Sequence, residues 1–259
     1  MSLNTSSRAI ERMRQGVVFM STKMSLPNVY DLPRLGAGHD GYVFQYGDDL
    51  ALKLLKYDIN ERTRRDLMTF EKALHITENL NLKRIIGPID VLFDEDGIYT
   101  GYVMKRVEDL ASEQFKGTPI YRAPGEFDCG QLLWAMEELG EDFSQLSKNG
   151  MIAKDINRGS LLFPSDYLYL CDMDKYQMST ASGVDSINMN RYRYTIAKVL
   201  FMEMVKSGAS KDDYKALNRW VKQSSNSTSF IRDLTSEIGT DFRMPISEFA
   251  EQKVKTILR

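Results

Sequence analysis

Gly36-Ala37-Gly38-His39-Asp40-Gly41-Tyr42-Val43, followed by Leu50-Ala51-Leu52-Lys53-Leu54-Leu55, is the stretch on which the fold turns. Glycines at 36, 38 and 41 let backbone amides approach phosphate oxygens with no Cβ in the way. A G-x-G-x-x-G run by itself also suits an ordinary β-turn, so its neighbours decide. In a dinucleotide-binding unit the third glycine opens a helix. Here Gly41 is followed by Tyr42-Val43-Phe44-Gln45-Tyr46, a β-like run that ends at the turn Gly47-Asp48-Asp49. The pattern is therefore strand, glycine loop, strand, with the loop placed to cover phosphates.

Along Leu50 to Leu55, period-two alternation puts Ala51, Lys53 and Leu55 on one face. A lysine inside an apolar strand is costly unless paired. The spacing predicts a helix over 61–80, on which Leu67, Glu71, Leu74 and Glu78 share one stripe, with Met68 and His75 alongside. On that stripe Glu71 faces inward and is the expected partner of Lys53. The bland alternative is a solvated Lys53 and a solvated Glu71 on unrelated surfaces.

Outward from this centre, residues 85–107 read as β again and helices dominate beyond. A hairpin interrupts them: Leu161-Leu162-Phe163 and Leu168-Tyr169-Leu170 flank the turn-forming cluster Pro164-Ser165-Asp166. Upstream, Ile10, Met13, Val17 and Met20 recur at helical spacing, which predicts an amphipathic helix from Arg8 to Met20 packed on the main domain. A targeting peptide is the alternative there, opposed by Glu11 and by the lack of a long apolar segment. The polar stretch Ser224 to Ser229 reads as a loop between C-terminal helices.

Composition narrows the function. Lys+Arg at 34 against Asp+Glu at 36 gives a formal net charge of −2, so there is no overall attraction for a polyanion and nucleic acid is not an expected partner. Cys129 and Cys171 are the only cysteines, and His39 and His75 the only histidines. That excludes a disulfide scaffold and a cysteine–histidine zinc site, and leaves any metal to carboxylates and hydroxyls. A reducing, cytoplasmic compartment is the expectation. No apolar run approaches the roughly 20 residues of a membrane span.

The glycine loop, Lys53 and a glutamate 18 residues later resemble, in that order, the small lobe of the protein kinase superfamily. Gly101 to Val107 is similar to that family's last small-lobe strand and hinge, with Met104 as gatekeeper and Arg106 in the hinge that meets adenine. Ile152-Ala153-Lys154-Asp155-Ile156-Asn157-Arg158-Gly159-Ser160-Leu161-Leu162 resembles the catalytic loop, with Asp155 at the general-base position and Ser160 where a metal-binding Asn normally sits. Seventeen residues after Asp155, Cys171-Asp172-Met173-Asp174 stands where the family has Asp-Phe-Gly. The resemblance covers roughly residues 30–205. It implies an α+β, bilobal protein-kinase-like fold: a small antiparallel β lobe with one helix, then a larger mainly helical lobe. The expected divisions are an N-terminal extension over 1–28, helical by the periodicity above, an N-lobe over 29–103, and hinge with C-lobe over 104–259.

By the same resemblance, Gly36, Gly38, Gly41, Val43, Ala51, Lys53, Met104, Arg106 and Leu162 would bind ATP. Lys53, Glu71 and Asp155 would be catalytic, and Asp172 with Ser160 would hold magnesium. Val43, Ala51 and Leu162 fall where the family sandwiches the adenine ring. Several positions depart from the pattern. Ser160 is a shorter, weaker ligand than Asn. Asn157 stands where Ser/Thr protein kinases carry a lysine that neutralises the transferred phosphate, and losing one such donor costs about 10²–10³ in rate. Asp40 adds negative charge at the loop tip. Asp174 replaces a glycine, and in extended backbone it would point the same way as Asp172 and act as a further metal ligand. Only a short segment separates Asp174 from the helix-like Asn190 to Val205, and Arg193 stands where that helix normally begins with Asp.

The resemblance thus implies an ATP- and magnesium-dependent phosphotransferase, a divergent Ser/Thr protein kinase acting on a protein hydroxyl, with low activity. Two alternatives stay open: a pseudokinase serving as a nucleotide-binding scaffold, suggested by Ser160, Asn157 and Asp40, and a small-molecule kinase of the aminoglycoside or choline kinase type, suggested by Asp174 and the short activation segment.

Overall fold

The computed structural model describes residues 17–19, 25–26, 29–38, 40–56, 68–94, 96–107, 128–156, 160–162, 168–206, 212, 215–216, 219, 233, 235–236, 239 and 242–249. The chain forms two compact units, each assembled from separate stretches. One gathers residues 1–81, 86–120 and 172–177; the other gathers 82–85, 121–171 and 178–259.

The first unit is built on a seven-stranded antiparallel sheet, ordered β2-β1-β6-β7-β5-β4-β3. Its strands are β1 (Val17–Phe19), β2 (Ser25–Leu26), β3 (Arg34–Ala37), β4 (Gly41–Tyr46), β5 (Leu50–Leu55), β6 (Pro88–Phe93) and β7 (Tyr99–Lys105). β5 lies between β4 and β7, and its residues from Ala51 to Leu55 are all buried. Leu52 and Leu54 pack with Val29, Phe44, Leu92 and Val103 into one core. Ala51, Lys53 and Leu55 point to the opposite face, as alternation requires. The β4–β5 and β5–β7 pairings carry the strand, loop and strand order read from the glycines.

Two expectations fail in this unit. Val17–Phe19 is a strand, not helix: Val18 pairs with Phe93, Phe19 with Leu92, and Val17 with Leu26. A Val-Val-Phe run suits a pleated strand better than a helix, where β-branched side chains crowd the preceding turn. The remainder of that segment, residues 8–16 and Met20, lies outside the described residues. The second failure concerns the single described α-helix of the unit, α1 (Phe70–Asn79), capped by Thr69, whose Oγ1 accepts from the Lys72 amide at 3.3 Å. Residues 61–67 of the expected helix lie outside the described residues. α1 buries Lys72, Ala73 and Ile76, while Glu71 and Glu78 are exposed. Its inner face is thus offset by one residue, about 100°, from the expected stripe. The amine of Lys72, carried on an apolar stem, finds two carbonyl partners inside, which makes its burial cheaper than that of an unpaired carboxylate.

The second unit is mainly helical among the described residues. α2 (Cys129–Lys148) begins in a capping box: the Asp128 side chain accepts from the Gln131 amide at 2.8 Å, and the Gln131 side chain accepts from the Asp128 amide at 2.9 Å. Its buried face carries Leu132, Met136, Leu139, Phe143 and Leu146. α3 (Val184–Lys206) packs on it through Tyr192, whose hydroxyl donates to the Met136 carbonyl at 3.0 Å and whose ring meets Phe143 edge-on at 5.8 Å. Between the helices lie β8 (Met151–Ile152) and the expected hairpin, β9 (Leu161–Leu162) with β10 (Tyr169–Leu170), pairing Leu161 with Leu170 and Leu162 with Tyr169. The turn of that hairpin, and the polar stretch 224–229, lie outside the described residues. This is the α+β make-up expected from the sequence: an antiparallel β unit carrying one described α-helix, and a mainly helical unit.

Candidate functional site

Register gathers several expected site residues on one face of the first unit. Lys53 on β5 faces Val43 on β4 and Tyr102 on β7, and Ala51 faces Met104. Directly paired residues share a face, so Val43, Ala51, Lys53, Tyr102 and Met104 all lie on the side opposite the core. Lys53 is 7% exposed. Its Nζ donates to Asp172 Oδ1 at 3.2 Å and to Asp174 Oδ2.

Glu71, the expected partner of Lys53, is not brought to it but lies on the exposed face of α1. Asp172 adopts a left-handed conformation (φ 69°), and the chain then winds into a 3-10 turn over Met173–Lys175. The two carboxylates meet at the Lys53 ammonium but differ sharply in exposure. The Asp172 side chain is 49% exposed. Asp174 is 1% exposed, and its second oxygen, Oδ1, accepts from the Tyr102 hydroxyl at 2.6 Å. Lys72 Nζ donates to the carbonyl of Asp174 and to that of Tyr176, the latter at 2.8 Å. Burial, then the adjacent Asp174 charge and hydrogen bond, push the Tyr102 phenol well above its ordinary pKa. It therefore stays protonated and donating.

The glycine loop closes as a tight turn: the Gly38 amide donates to the Gly41 carbonyl at 2.9 Å, and Lys56 Nζ donates to the Gly38 carbonyl at 2.6 Å. The glycines serve different ends. A Cβ at Gly41 would meet the Leu54 carbonyl oxygen at 2.5 Å, so this position is set by strand packing, whereas Gly38 faces open space. Gly36 lies on β3 opposite Val43. Asp40 pairs through Oδ2 with Lys175 at 3.1 Å, and its Oδ1 is buried without a hydrogen-bond partner among the described residues. His39 lies outside the described residues. Arg106 is tied to the β4–β5 turn, its amide donating to the Asp49 carbonyl at 2.7 Å and Nη1 to the Asp48 carbonyl at 3.1 Å.

In the second unit, Asp155 is exposed and left-handed (φ 54°), a conformation rare for a non-glycine residue. Ser160 is buried; its hydroxyl donates to the Asp155 carbonyl at 3.4 Å and its carbonyl accepts from the Cys171 amide at 2.8 Å. Leu162 is half-buried on β9. Asn157 and Arg158 lie outside the described residues. Asn188 on α3 steadies the approach to Asp155. Its Oδ1 accepts from the Ala153 amide at 2.9 Å, and its Nδ2 donates to the Met151 carbonyl at 2.7 Å and to Ser147 Oγ at 3.0 Å. Sequence reading passed over Asn188, Tyr102 and Lys72. Lys72 alone leaves a signal, a cation next to Glu71.

The donor chemistry suits a hard cation in part. The Asp172 carboxylate, half-exposed and only singly engaged by Lys53, fits magnesium. Asp174, with both oxygens taken by Lys53 and Tyr102, does not fit the ligand role expected of it. Among the described residues, no group of three His, Cys, Asp or Glu side chains is placed to hold a metal.

No family model and no curated protein matches the chain. Among solved structures it is similar to a mutant PknI kinase domain of Mycobacterium tuberculosis, with 16% sequence identity, 92% of this chain and 100% of that chain covered, and a TM-score of 0.49. Among the described residues, no helix is long and apolar enough to cross a membrane.

Proposed function

We propose that the protein is an ATP- and magnesium-dependent phosphotransferase of the protein kinase type, transferring the γ-phosphoryl group to a hydroxyl on a protein substrate. The observation that carries the proposal is a lysine buried on an inner strand of a sheet, on one face with Val43, Ala51 and Met104, beside a glycine turn and held by the carboxylate pair Asp172 and Asp174. A buried ammonium with fixed acidic partners is a poised point charge for phosphate oxygens. The small and apolar side chains next to it suit a flat base. Magnesium, when bound, would neutralise charge on the β- and γ-phosphates. Asp172 would hold it, joined in this reading by Ser160. Asp155 would orient the acceptor hydroxyl and receive its proton, and Leu162 would complete the adenine contacts.

A scaffold with a retained nucleotide pocket is the second reading. It is favoured by the outward Glu71 and by the ion pair that ties the glycine-loop residue Asp40 to Lys175. Phosphoryl transfer separates the two. On incubation with magnesium and ATP, the enzyme should gain steps of about 80 Da by intact mass, and Asp155→Ala should abolish them. A wild-type protein that binds nucleotide and never gains mass, with itself or a generic acceptor protein, supports the scaffold.

A further inference from the structure

We infer that Asp174, supported by Tyr102, is the residue that positions Lys53, in place of the α1 glutamate, and that it is not a metal ligand. The inference rests on the nucleotide-site reading of Lys53 and deepens it. The charge layout of α1 gives the first reason. Its buried position is occupied by Lys72, a second cation, and its glutamates face outward. Among the described residues of α1, neither glutamate is turned toward Lys53, so the carboxylates seen on its ammonium come from Asp172 and Asp174.

The second reason is how completely Asp174 is fixed. One oxygen accepts from Lys53, the other from the Tyr102 hydroxyl at 2.6 Å, and its carbonyl accepts from Lys72. Tyr102 is the direct cross-strand partner of Lys53, so β5 and β7 deliver an ammonium and a phenol side by side to one carboxylate. Both carboxylate oxygens are thus engaged by donors, and a cation there would have to displace one of them. Asp172, exposed and singly engaged, is left for the metal. The two aspartates of Asp172-Met173-Asp174 divide the work between lysine and metal.

Chemical labelling tests the anchor independently of nucleotide. The full chain is treated with an amine-acylating reagent, and modification of Lys53 and Lys72 is followed by peptide mass spectrometry. In Asp174→Asn, Lys53 should react faster by about fivefold or more, because an amine no longer held in the ion pair with Asp174 is freer to meet the reagent. Glu71→Gln should leave the Lys53 rate within about twofold, the scale of an exposed charge. Faster labelling in Glu71→Gln, with none in Asp174→Asn, overturns the inference. If Asp174→Asn fails to fold, seen as general exposure of lysines, Tyr102→Phe decides. It should raise Lys53 reactivity by a smaller factor without raising that of Lys72, and no change in this variant rejects the arrangement.

Binding of ADP without magnesium supplies the functional arm. Lys53→Met and Asp174→Asn should weaken it by the same factor, and the double variant should be no weaker than either, the pattern of two residues acting as one unit. If Asp174 is instead a metal ligand, its variant binds free ADP normally and loses only the magnesium-dependent gain. If the wild type binds no ADP at all, the nucleotide reading falls while the labelling still decides the anchor.

Discussion

Asp142 on α2 is buried, with 0% exposure, and its carboxylate accepts from three consecutive backbone amides: Lys83 at 2.9 Å, Arg84 at 2.7 Å and Ile85 at 2.8 Å. All belong to the helical unit. Substitution to Ala strands these donors, two of them on buried residues. At about 1–3 kcal/mol for each unsatisfied group, the gross penalty is roughly 3–9 kcal/mol. Removing the carboxylate also removes the cost of desolvating it, and that cost is large enough that burial raises the Asp142 pKa despite three amides lowering it. We expect a net loss of about 3 kcal/mol, a large fraction of the 5–15 kcal/mol typical of a domain. Asp142→Asn retains one oxygen and faces one amide with an NH₂ group, so about 1–2 kcal/mol is expected.

Urea denaturation measures the loss, and amide hydrogen exchange at Lys83, Arg84 and Ile85 localises it. The raised pKa adds a signed test. The folded state holds the Asp142 proton more tightly than the unfolded chain, so wild-type stability falls as pH rises from the ordinary value of 3.8 through the raised one. Asp142→Asn lacks this slope, and the gap between the two should narrow as pH climbs. An Ala variant within about 1 kcal/mol of wild type, with the three amides still protected, would refute the reasoning.

Other perturbations probe the sheet and the polar contacts. A Cβ at Gly101 would stand 2.1 Å from the Lys53 carbonyl oxygen; because backbone cannot yield as a side chain does, Gly101→Ala should cost at least about 1–3 kcal/mol, read as a lowered urea midpoint. Tyr102 stays protonated above its ordinary pKa of 10.0 while the unfolded chain ionises. Its stabilising contribution is therefore present below about pH 10 and lost as pH rises further, and Tyr102→Phe should show a shallower alkaline loss of stability in denaturant titrations. Asn188→Ala removes an acceptor and two donated bonds around Met151 and Ala153. It should destabilise by roughly 2 kcal/mol and speed exchange at the Ala153 amide.

The glycine run and the alternating strand after it were legible because period two and turn chemistry are local. β4, β5 and the hairpin of β9 with β10 form where those signals stand, and the β5 register then fixes Val43, Ala51, Lys53 and Met104 on one face without further information. The partner of Lys53 was not legible. Choosing between Glu71 and Asp174 depends on which face α1 turns inward, and a stripe with Glu71 and one with Lys72 differ by a single residue. Only the two carbonyls that receive the Lys72 amine, on a segment about a hundred residues away in sequence, break that tie. The same holds for Asp174: extended backbone would have aligned it with Asp172, and the left-handed turn at Asp172 sends it inward. The Val17–Phe19 strand was missed because Met13, Val17 and Met20 happen to fit a helical period, while the pairing edge of β6 is invisible from that window.

The most direct measurement is the melting temperature with ATP alone, magnesium alone and both, in wild type and in Asp172→Ala. Nucleotide at about 100 times its dissociation constant stabilises by roughly 2.7 kcal/mol, a rise of about 5–10 °C for a chain of this size. A rise that needs magnesium and disappears in Asp172→Ala is the predicted result. No rise with ATP under any condition would contradict the assignment of the glycine turn and Lys53 to a nucleotide site.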